Sequence, residues 1–288
     1  MNYAFEIISL CLQRIMNYFV PLQAIMEYTL NIKGQLLDLQ TPRVMGILNA
    51  TPDSFFADSR KQTEQEIASR ANEIVSQGAT FIDVGAYSTR PGAAEVSEQE
   101  EMERMRMALA VVRRVQPDVP LSIDTFRPDV ARMAVEEYGA DIINDVSEGA
   151  DEAMFRMVSR LRVPYILMSV QKGLHDTVMA FARKVQMLRD FGQKDIILDP
   201  GFGFGKTLDD NYRLMAEMEK LQVFELPILV GISRKSMIYR LLETSPAEAL
   251  NGTTFLNTIA LMKGADILRV HDVKETVEIV KMYDRIRS

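Results

Sequence analysis

The 288-residue sequence has one cysteine, two histidines, no tryptophan and a deficit of positive charge, with 33 basic residues against 40 acidic ones. Cys11 has no partner for an internal disulfide, which argues for a reducing compartment, and a cytoplasmic protein is expected. His175 and His271 come without a matching ligand set, so a zinc site is not expected. The net charge of −7 argues against a nucleic-acid surface spread over the whole protein. Long apolar runs are lacking too. Residues 1–25 are apolar but broken by Gln13, Arg14, Asn17 and Pro21, and a bilayer span needs about 20 apolar residues in succession. A secretory signal would carry a basic residue ahead of its apolar core, and here Glu6 stands there instead. Residues 1–25 therefore read as an extension, with translation expected to start at Met26, and residues 26–288 as a single domain.

The rest is ordinary for a globular protein with a large core, at 47% hydrophobic and 25% charged residues. Tyr28 to Leu39 reads as a hairpin about Lys33-Gly34. After it, short β-rich runs alternate with amphipathic helical stretches. The runs are Val44–Leu48, Thr80–Val84, Val119–Ile123, Asp141–Ile143, Pro164–Met168, Asp195–Leu198, Ile228–Gly231 and Ile267–Val270. Most are unbroken apolar, as strands buried on both faces are. Capping boxes at Thr63-x-x-Glu66 and Ser97-x-x-Glu100 mark helix starts, as does Ser245-Pro246-Ala247-Glu248. Ile67, Ala71, Ile74 and Val75 share a face of the first helix, which Gly78 closes. Met102, Met105, Leu109 and Val112 form a core-facing stripe on the second. Eight strands alternating with helices predict an α/β fold, a closed eight-stranded parallel TIM barrel, with the hairpin capping its bottom.

In such barrels the active site lies at the carboxyl ends of the strands, and polar residues gather at those ends. The eight runs lead into Asn49, Asp83-Val84-Gly85, Asp124, Asn144-Asp145, Met168-Ser169, Asp199, Gly231 and Arg269-Val270-His271. Asp53 and Asp272, taken singly, read as helix caps. Asp124, Asn144 and Asp199 together point a ring of acceptors and one amide into the mouth, suited to a flat heterocycle rich in N–H groups. Arg90, Lys235, Arg269 and His271 surround it with cationic donors suited to a phosphate or diphosphate. His175, near a helix start, reads as a surface residue.

Two motifs fail on counting. A phosphate loop ending at Gly205-Lys206-Thr207 would need glycine at Pro200, and the dinucleotide pattern would need glycine at Lys206. These glycines instead let a loop approach a ligand, with Phe202 or Phe204 as an apolar wall.

Seven blocks occur in one order: Met45–Phe55, Ser88-Thr-Arg-Pro-Gly92, Ser122-Ile-Asp-Thr125, Ile143–Ser147, Leu198–Lys206, Gly231–Ser236 and Arg269-Val-His-Asp272. With them the sequence closely resembles the dihydropteroate synthase family of folate biosynthesis over about residues 28 to 285. The resemblance implies a transferase in which p-aminobenzoate displaces diphosphate from hydroxymethyl-dihydropterin diphosphate, a sulfonamide target and a homodimer. It implies that Asp124, Asn144, Asp199 and Lys235 hold the pterin ring, with Gly231 beside them, and that Met168 and Arg269 sandwich its faces. Asn49, Arg269 and His271 would hold the diphosphate, with Asn49 also meeting Mg2+. Thr89, Arg90, Pro91, Phe204 and Ser236 would shape the p-aminobenzoate pocket.

There are departures from the family pattern. Ser169 follows Met168 where histidine is frequent, Asp58 stands one position late in the first loop, and Tyr87 and Glu148 replace other residues. Two alternatives are a pterin-binding methyltransferase of the same superfamily and a catalytically silent pterin-binding paralogue. The first would not need Ser88–Gly92 or Ser233–Ser236. The second should have lost parts of the first two loops or of the cationic cluster, and both are present. If Met26 is the start, mass spectrometry of the native protein is expected to yield no peptide from Met1 to Ile25.

Overall fold

The structure, a computed structural model, describes residues 28–50, 60–87 and 96–287. The expected extension, Met26, Asp53, Asp58 and the segment carrying Thr89, Arg90 and Pro91 lie outside the described residues.

Two short strands, β1 (Thr29–Ile32) and β2 (Gln35–Asp38), pair antiparallel. Lys33 and Gly34 between them both take positive φ, as the favoured two-residue hairpin turn requires. Eight further strands follow: β3 (Arg43–Asn49), β4 (Phe81–Gly85), β5 (Leu121–Asp124), β6 (Ile142–Asp145), β7 (Tyr165–Met168), β8 (Ile196–Asp199), β9 (Leu229–Val230) and β10 (Ile267–Val270). All their pairings are parallel, in the order β8-β7-β6-β5-β4-β3-β10-β9. The sheet curls until its two edges meet at one parallel bridge, Leu198 to Ile228. The result is a barrel-like sheet, nearly closed.

Helices follow the strands: α1 (Arg60–Ser76), α2 (Glu98–Val115), α3 (Pro128–Tyr138), α4 (Glu152–Leu161), α5 (Leu174–Asp190), α6 (Leu208–Glu217), α7 (Ser236–Tyr239), α8 (Leu250–Met262) and α9 (Val273–Arg287). None is long and apolar enough to cross a membrane among the described residues. The expected faces are buried: Ile67, Ala71 and Ile74 on α1, and Met105, Leu109 and Val112 on α2. Gly78 closes α1 with positive φ. One start signal is misplaced. α1 already begins at Arg60, so Thr63 sits buried inside the helix and is not its cap. Ser97 does cap α2, accepting from the Glu100 N–H, while the Glu100 carboxylate pairs with Arg104. The box at Ser245 forms fully, around a short 3-10 turn over Pro246–Glu248 that leads into α8.

Alternation along the strands sorts the core into two parts. Val44, Ile82, Val84, Leu121, Ile123, Ile143, Tyr165, Leu167, Leu198 and Val230 face the helices. Met45, Phe81, Ile142, Ile166, Ile197, Leu229 and Ile267, one from each of seven strands, meet inside the barrel. Leu30 and Leu39 of the hairpin segment pack into that inner layer. Above this apolar floor the inward positions turn polar, at Asp83, Ser122, Asp124, Asn144, Asp199 and Arg269.

One glycine sets how closely the helices approach. A Cβ on Gly46 would lie 2.4 Å from a methyl of Ile74 on α1 and 3.1 Å from Val273 at the start of α9. Gly46→Ala is expected to lower stability by about 1–3 kcal/mol, the range for overpacking a filled core. Urea denaturation checks this, and an unchanged midpoint would mean the two helices yield freely.

Candidate active site

The parallel register brings the polar residues to one end of the barrel in adjacent pairs. Asn49 pairs with Gly85 across β3 and β4, Asp124 with Asn144 across β5 and β6, and Met168 with Asp199 across β7 and β8. Arg269 points inward from β10, and His271 follows just after that strand. Gly231 and Ile232 lead from β9 to Lys235, the residue before α7, and Ser236 opens that helix. All the described candidates therefore stand at the strands' carboxyl ends. Asn144, Met168, Asp199 and Gly231 are buried, Asp124, Phe204, Lys235, Ser236, Arg269 and His271 are half-buried, and Asn49 is exposed.

Arg269 joins the carboxylates. Its Nη2 lies 2.6 Å from Asp124 Oδ2 and 2.6 Å from Asp83 Oδ2, and its Nε donates to the same Asp83 oxygen at 2.7 Å. Burial alone would lower the guanidinium pKa, but Asp83 and Asp124 more than offset it, and the group stays firmly charged. Burial pushes Asp124 up to about 7, against the pull of Arg269 and with the help of Asp83 and Glu101. Burial also raises Asp199, whose charge is favoured by Lys235 and by the Gly201 N–H. Lys235 is lowered to about 8 by burial, with Asp199 opposing the shift. The mouth thus presents buried and half-buried acceptors balanced by half-buried cations, which suits a ligand whose N–H edge and anionic tail arrive together.

The glycine-rich loop after β8 is shaped for close approach. Gly201 has φ of +70°, and a Cβ there would fall 1.9 Å from the Ser169 carbonyl oxygen, so no other residue fits. Lys235 Nζ donates to the Phe202 carbonyl at 2.5 Å and sits 4.6 Å from the centre of the Phe204 ring. Phe202 is fully buried, so Phe204 is the residue of the two that lines the opening. Lys206 donates to the carbonyls of Ser169, Gly201 and Phe204 at 2.9 to 3.3 Å. It clamps the loop to the end of β7, consistent with the failure of the phosphate-loop count. Thr207 caps α6 in a complete box with Asp210.

Sequence reasoning placed Asp83 at a strand end but gave it no role, and it missed the clamp around Arg234. Asp83 lies within an apolar run, at an inward position two residues after Phe81, and that alternation was the available signal. Asp272 begins α9 with its backbone carbonyl, accepting from Thr276, but its carboxylate does not cap the helix. It receives Nε and Nη2 of Arg234 at 2.6 to 3.1 Å, because a guanidinium fork offers more than a backbone N–H. Arg234 Nη1 also donates to the carbonyls of Pro246 and Ala247. Arg234 takes a φ of +54°, a left-handed conformation that these bonds hold, immediately before Lys235. The departures at Glu148 and Ser169 prove to be one feature. Glu148 accepts from the Ser169 hydroxyl at 3.2 Å, from the Val170 N–H at 3.3 Å and from the Gln171 amide at 2.9 and 3.0 Å. Tyr87 stacks edge-on against Phe126, beside Arg127. His175 is exposed on the first turn of α5, as expected.

Residues 45–271 match the family model described as pterin binding enzyme. The chain is 41% identical over 272 residues to the dihydropteroate synthase of Escherichia coli (strain K12), covering 89% of this chain and 95% of that one. It is 39% identical to that of Bacillus subtilis (strain 168), covering 84% and 87%. Among solved structures, the Xanthomonas albilineans dihydropteroate synthase with 4-aminobenzoic acid superposes at a TM-score of 0.84 and 34% identity, covering 91% and 99%. The Yersinia pestis dihydropteroate synthase with a sulfonamide drug complex does so at 0.80 and 38%, covering 90% and 99%.

Asp272→Ala is expected to cost about 2 kcal/mol of stability, the scale of losing a partly buried charged pair. Thermal unfolding checks it, and Arg234→Ala should cost less in the Asp272→Ala background than in the wild-type protein, the remainder being its bonds to the Pro246 and Ala247 carbonyls. Full additivity would separate the two residues.

Proposed function

The chain belongs to the pterin-binding enzymes and, within them, to the dihydropteroate synthases, and from that premise we propose how its own residues perform the reaction. p-Aminobenzoate displaces diphosphate from hydroxymethyl-dihydropterin diphosphate, and dihydropteroate forms. The observation that carries this reading is the cluster of Asp124, Asn144, Asp199, Lys235 and Arg269 at one barrel mouth. The acceptors would hold the N–H edge of the pterin ring, with Lys235 donating to it and Gly231 leaving room for it. Met168, buried below, and Arg269 would contact its two faces. Phe204 and Ser236 would wall the p-aminobenzoate pocket, together with Thr89, Arg90 and Pro91 of the second loop.

The carbon attacked is a methylene beside an electron-rich dihydropterin ring. Positive charge developing there can delocalise into the ring, so departure of diphosphate can run ahead of attack. Asp124 and Asp199 favour that charge from the ring edge. Arg269 and His271 receive the leaving anion, and neither needs to move a proton to do so. The arylamine nucleophile is neutral at pH 7 and needs orientation more than a base. The substitution is dissociative: the carbon–oxygen bond to diphosphate breaks first, the amine nitrogen then bonds to the methylene, and the excess amine proton passes to solvent.

Among the described residues no three His, Cys, Asp or Glu side chains converge to hold a metal. Asn49 offers an exposed amide oxygen at the end of β3. That donor set fits Mg2+ carried mainly by diphosphate oxygens, with Asn49 as one protein ligand. When bound there, the ion would supply screening of the leaving charge. We further read the sheet as a closed TIM barrel capped by the hairpin, supported by the Leu198–Ile228 bridge. Exposed Leu241, Leu242, Phe255 and Met262 support a homodimer built on α8 and the segment before it. A cytoplasmic location fits the lack of a disulfide.

Pure protein given pterin diphosphate, p-aminobenzoate and magnesium should form dihydropteroate, omission of any component should stop it, and a sulfonamide should compete with p-aminobenzoate. No product under any condition would overturn the reading. Lys235→Ala and Arg269→Ala should each lower kcat/KM about tenfold or more, the scale of a lost charged contact. Near-normal rates in both would remove them from the site.

The pH dependence follows from the same groups. An N–H donor needs Asp124 ionised, so kcat/KM for the pterin substrate should rise as pH climbs through about 7. Lys235 must be protonated, so it should fall above about 8. Initial rates from about pH 5 to about pH 10 check the bell shape, and a flat profile would contradict both assignments.

A further inference from the structure

One carboxylate in the barrel takes no part in these roles. Asp83, the third residue of β4, has no exposed surface. Its Oδ2 accepts from Nε of Arg269 at 2.7 Å and lies 2.6 Å from Nη2 in an ion pair. Its Oδ1 accepts the Ser122 hydroxyl at 2.5 Å, and the Asn144 Nδ2 lies 3.3 Å from Oδ2 and 3.5 Å from Oδ1. One side chain therefore serves three others, on β10, β5 and β6.

Two consequences follow from the chemistry of a carboxylate. Bound by a guanidinium, it has only acceptor oxygens to offer. The Asn144 amide must therefore turn its NH2 group toward Asp83 and its oxygen away. That oxygen is buried and has no hydrogen-bond partner among the described residues. A buried amide oxygen left unpaired is costly, and it is accounted for if a donor arrives with the ligand. The second consequence concerns Arg269. Nε donating to Asp83, with Nη2 donating to Asp124, sets the plane of the guanidinium before any substrate is present.

We propose that Asp83 is a positioning residue for the pterin substrate: it turns the Asn144 oxygen toward a ring N–H and holds Arg269 in its working plane. The proposal rests on the reading that Asn144 and Arg269 meet that substrate. It also defines a specificity. With Asn144 an acceptor beside Asp124 and Asp199, the pocket selects a heterocycle whose edge carries N–H donors. A bare ring nitrogen at that place would be rejected.

Asp83→Asn keeps the size but removes the charge and adds a donor, so the Asn144 amide can flip and Arg269 loses its anchor. KM for pterin diphosphate is expected to rise about tenfold or more, while KM for p-aminobenzoate stays within about twofold. In double-mutant cycles the penalty should shrink in an Asn144→Ala and in an Arg269→Ala background. Equal rises in both KM values, or full additivity in both cycles, would reduce Asp83 to a structural residue. The wild-type enzyme gives a test that needs no folded variant. By NMR, the Asn144 side-chain NH2 protons should be protected from exchange without ligand and remain so when dihydropteroate binds. Protons that exchange freely until the pterin arrives would place the NH2 against the ligand and overturn the proposal. Asn144→Ala and Arg269→Ala alone, with unchanged pterin affinity, would instead overturn the underlying assignment of those two residues.

Discussion

Asp83, Asp124 and Asp199 share the inside of one barrel, and the guanidinium of Arg269 is what lets them do so. Carboxylates that close inside a protein repel one another and lose hydration. Arg269 contacts two of them directly and favours the charge of the third from β10. It arrives from the strand that pairs with β3 on one side and β9 on the other, so the near-closure of the sheet delivers the cation. An open sheet with the same residues would place β10 away from β5, and the acceptors would be uncompensated.

The other cation is placed differently. Lys235 stands just before a four-residue helix and is held by its surroundings. Arg234, pinned to Asp272 and to the carbonyls before α8, fixes the backbone next to it. The glycine-rich loop after β8 supplies the Phe202 carbonyl and the Phe204 ring for its ammonium group. Lys206 holds that loop to β7. Each of the two cations thus has a dedicated scaffold, and the scaffold residues are charged themselves. The family pattern Gly231–Ser236 reads in physical terms as a lysine and the arginine that aims the chain for it.

The pairing of Glu148 with Ser169 and Gln171 shows how a departure from a family pattern can be absorbed. An extra carboxylate after β6 would cost free energy if it were left alone beside the end of β7. The serine hydroxyl, a backbone N–H and the glutamine amide all point to it instead. The change stays in the loops and leaves Asp199 and Met168 in register below.

Much of the molecule was legible in the chain itself. Apolar runs separated by capped amphipathic segments can only alternate as strand and helix. Eight of them imply a parallel sheet, and each strand end could be read off with its polar residue. Local rules misled at Thr63 and Asp272, because a capping signal is only an offer of hydrogen bonds. Thr63 was overruled by a helix starting one turn earlier, and Asp272 by an arginine 38 residues away in sequence. The sequence by itself determined the order of elements, the carboxyl-end site and the residue types in it, since periodicity and spacing are local properties. Alternation turns Asp83 inward, but only the tertiary structure decided that it meets Arg269, Ser122 and Asn144, because that contact joins four strands and depends on register and closure, which no local pattern encodes.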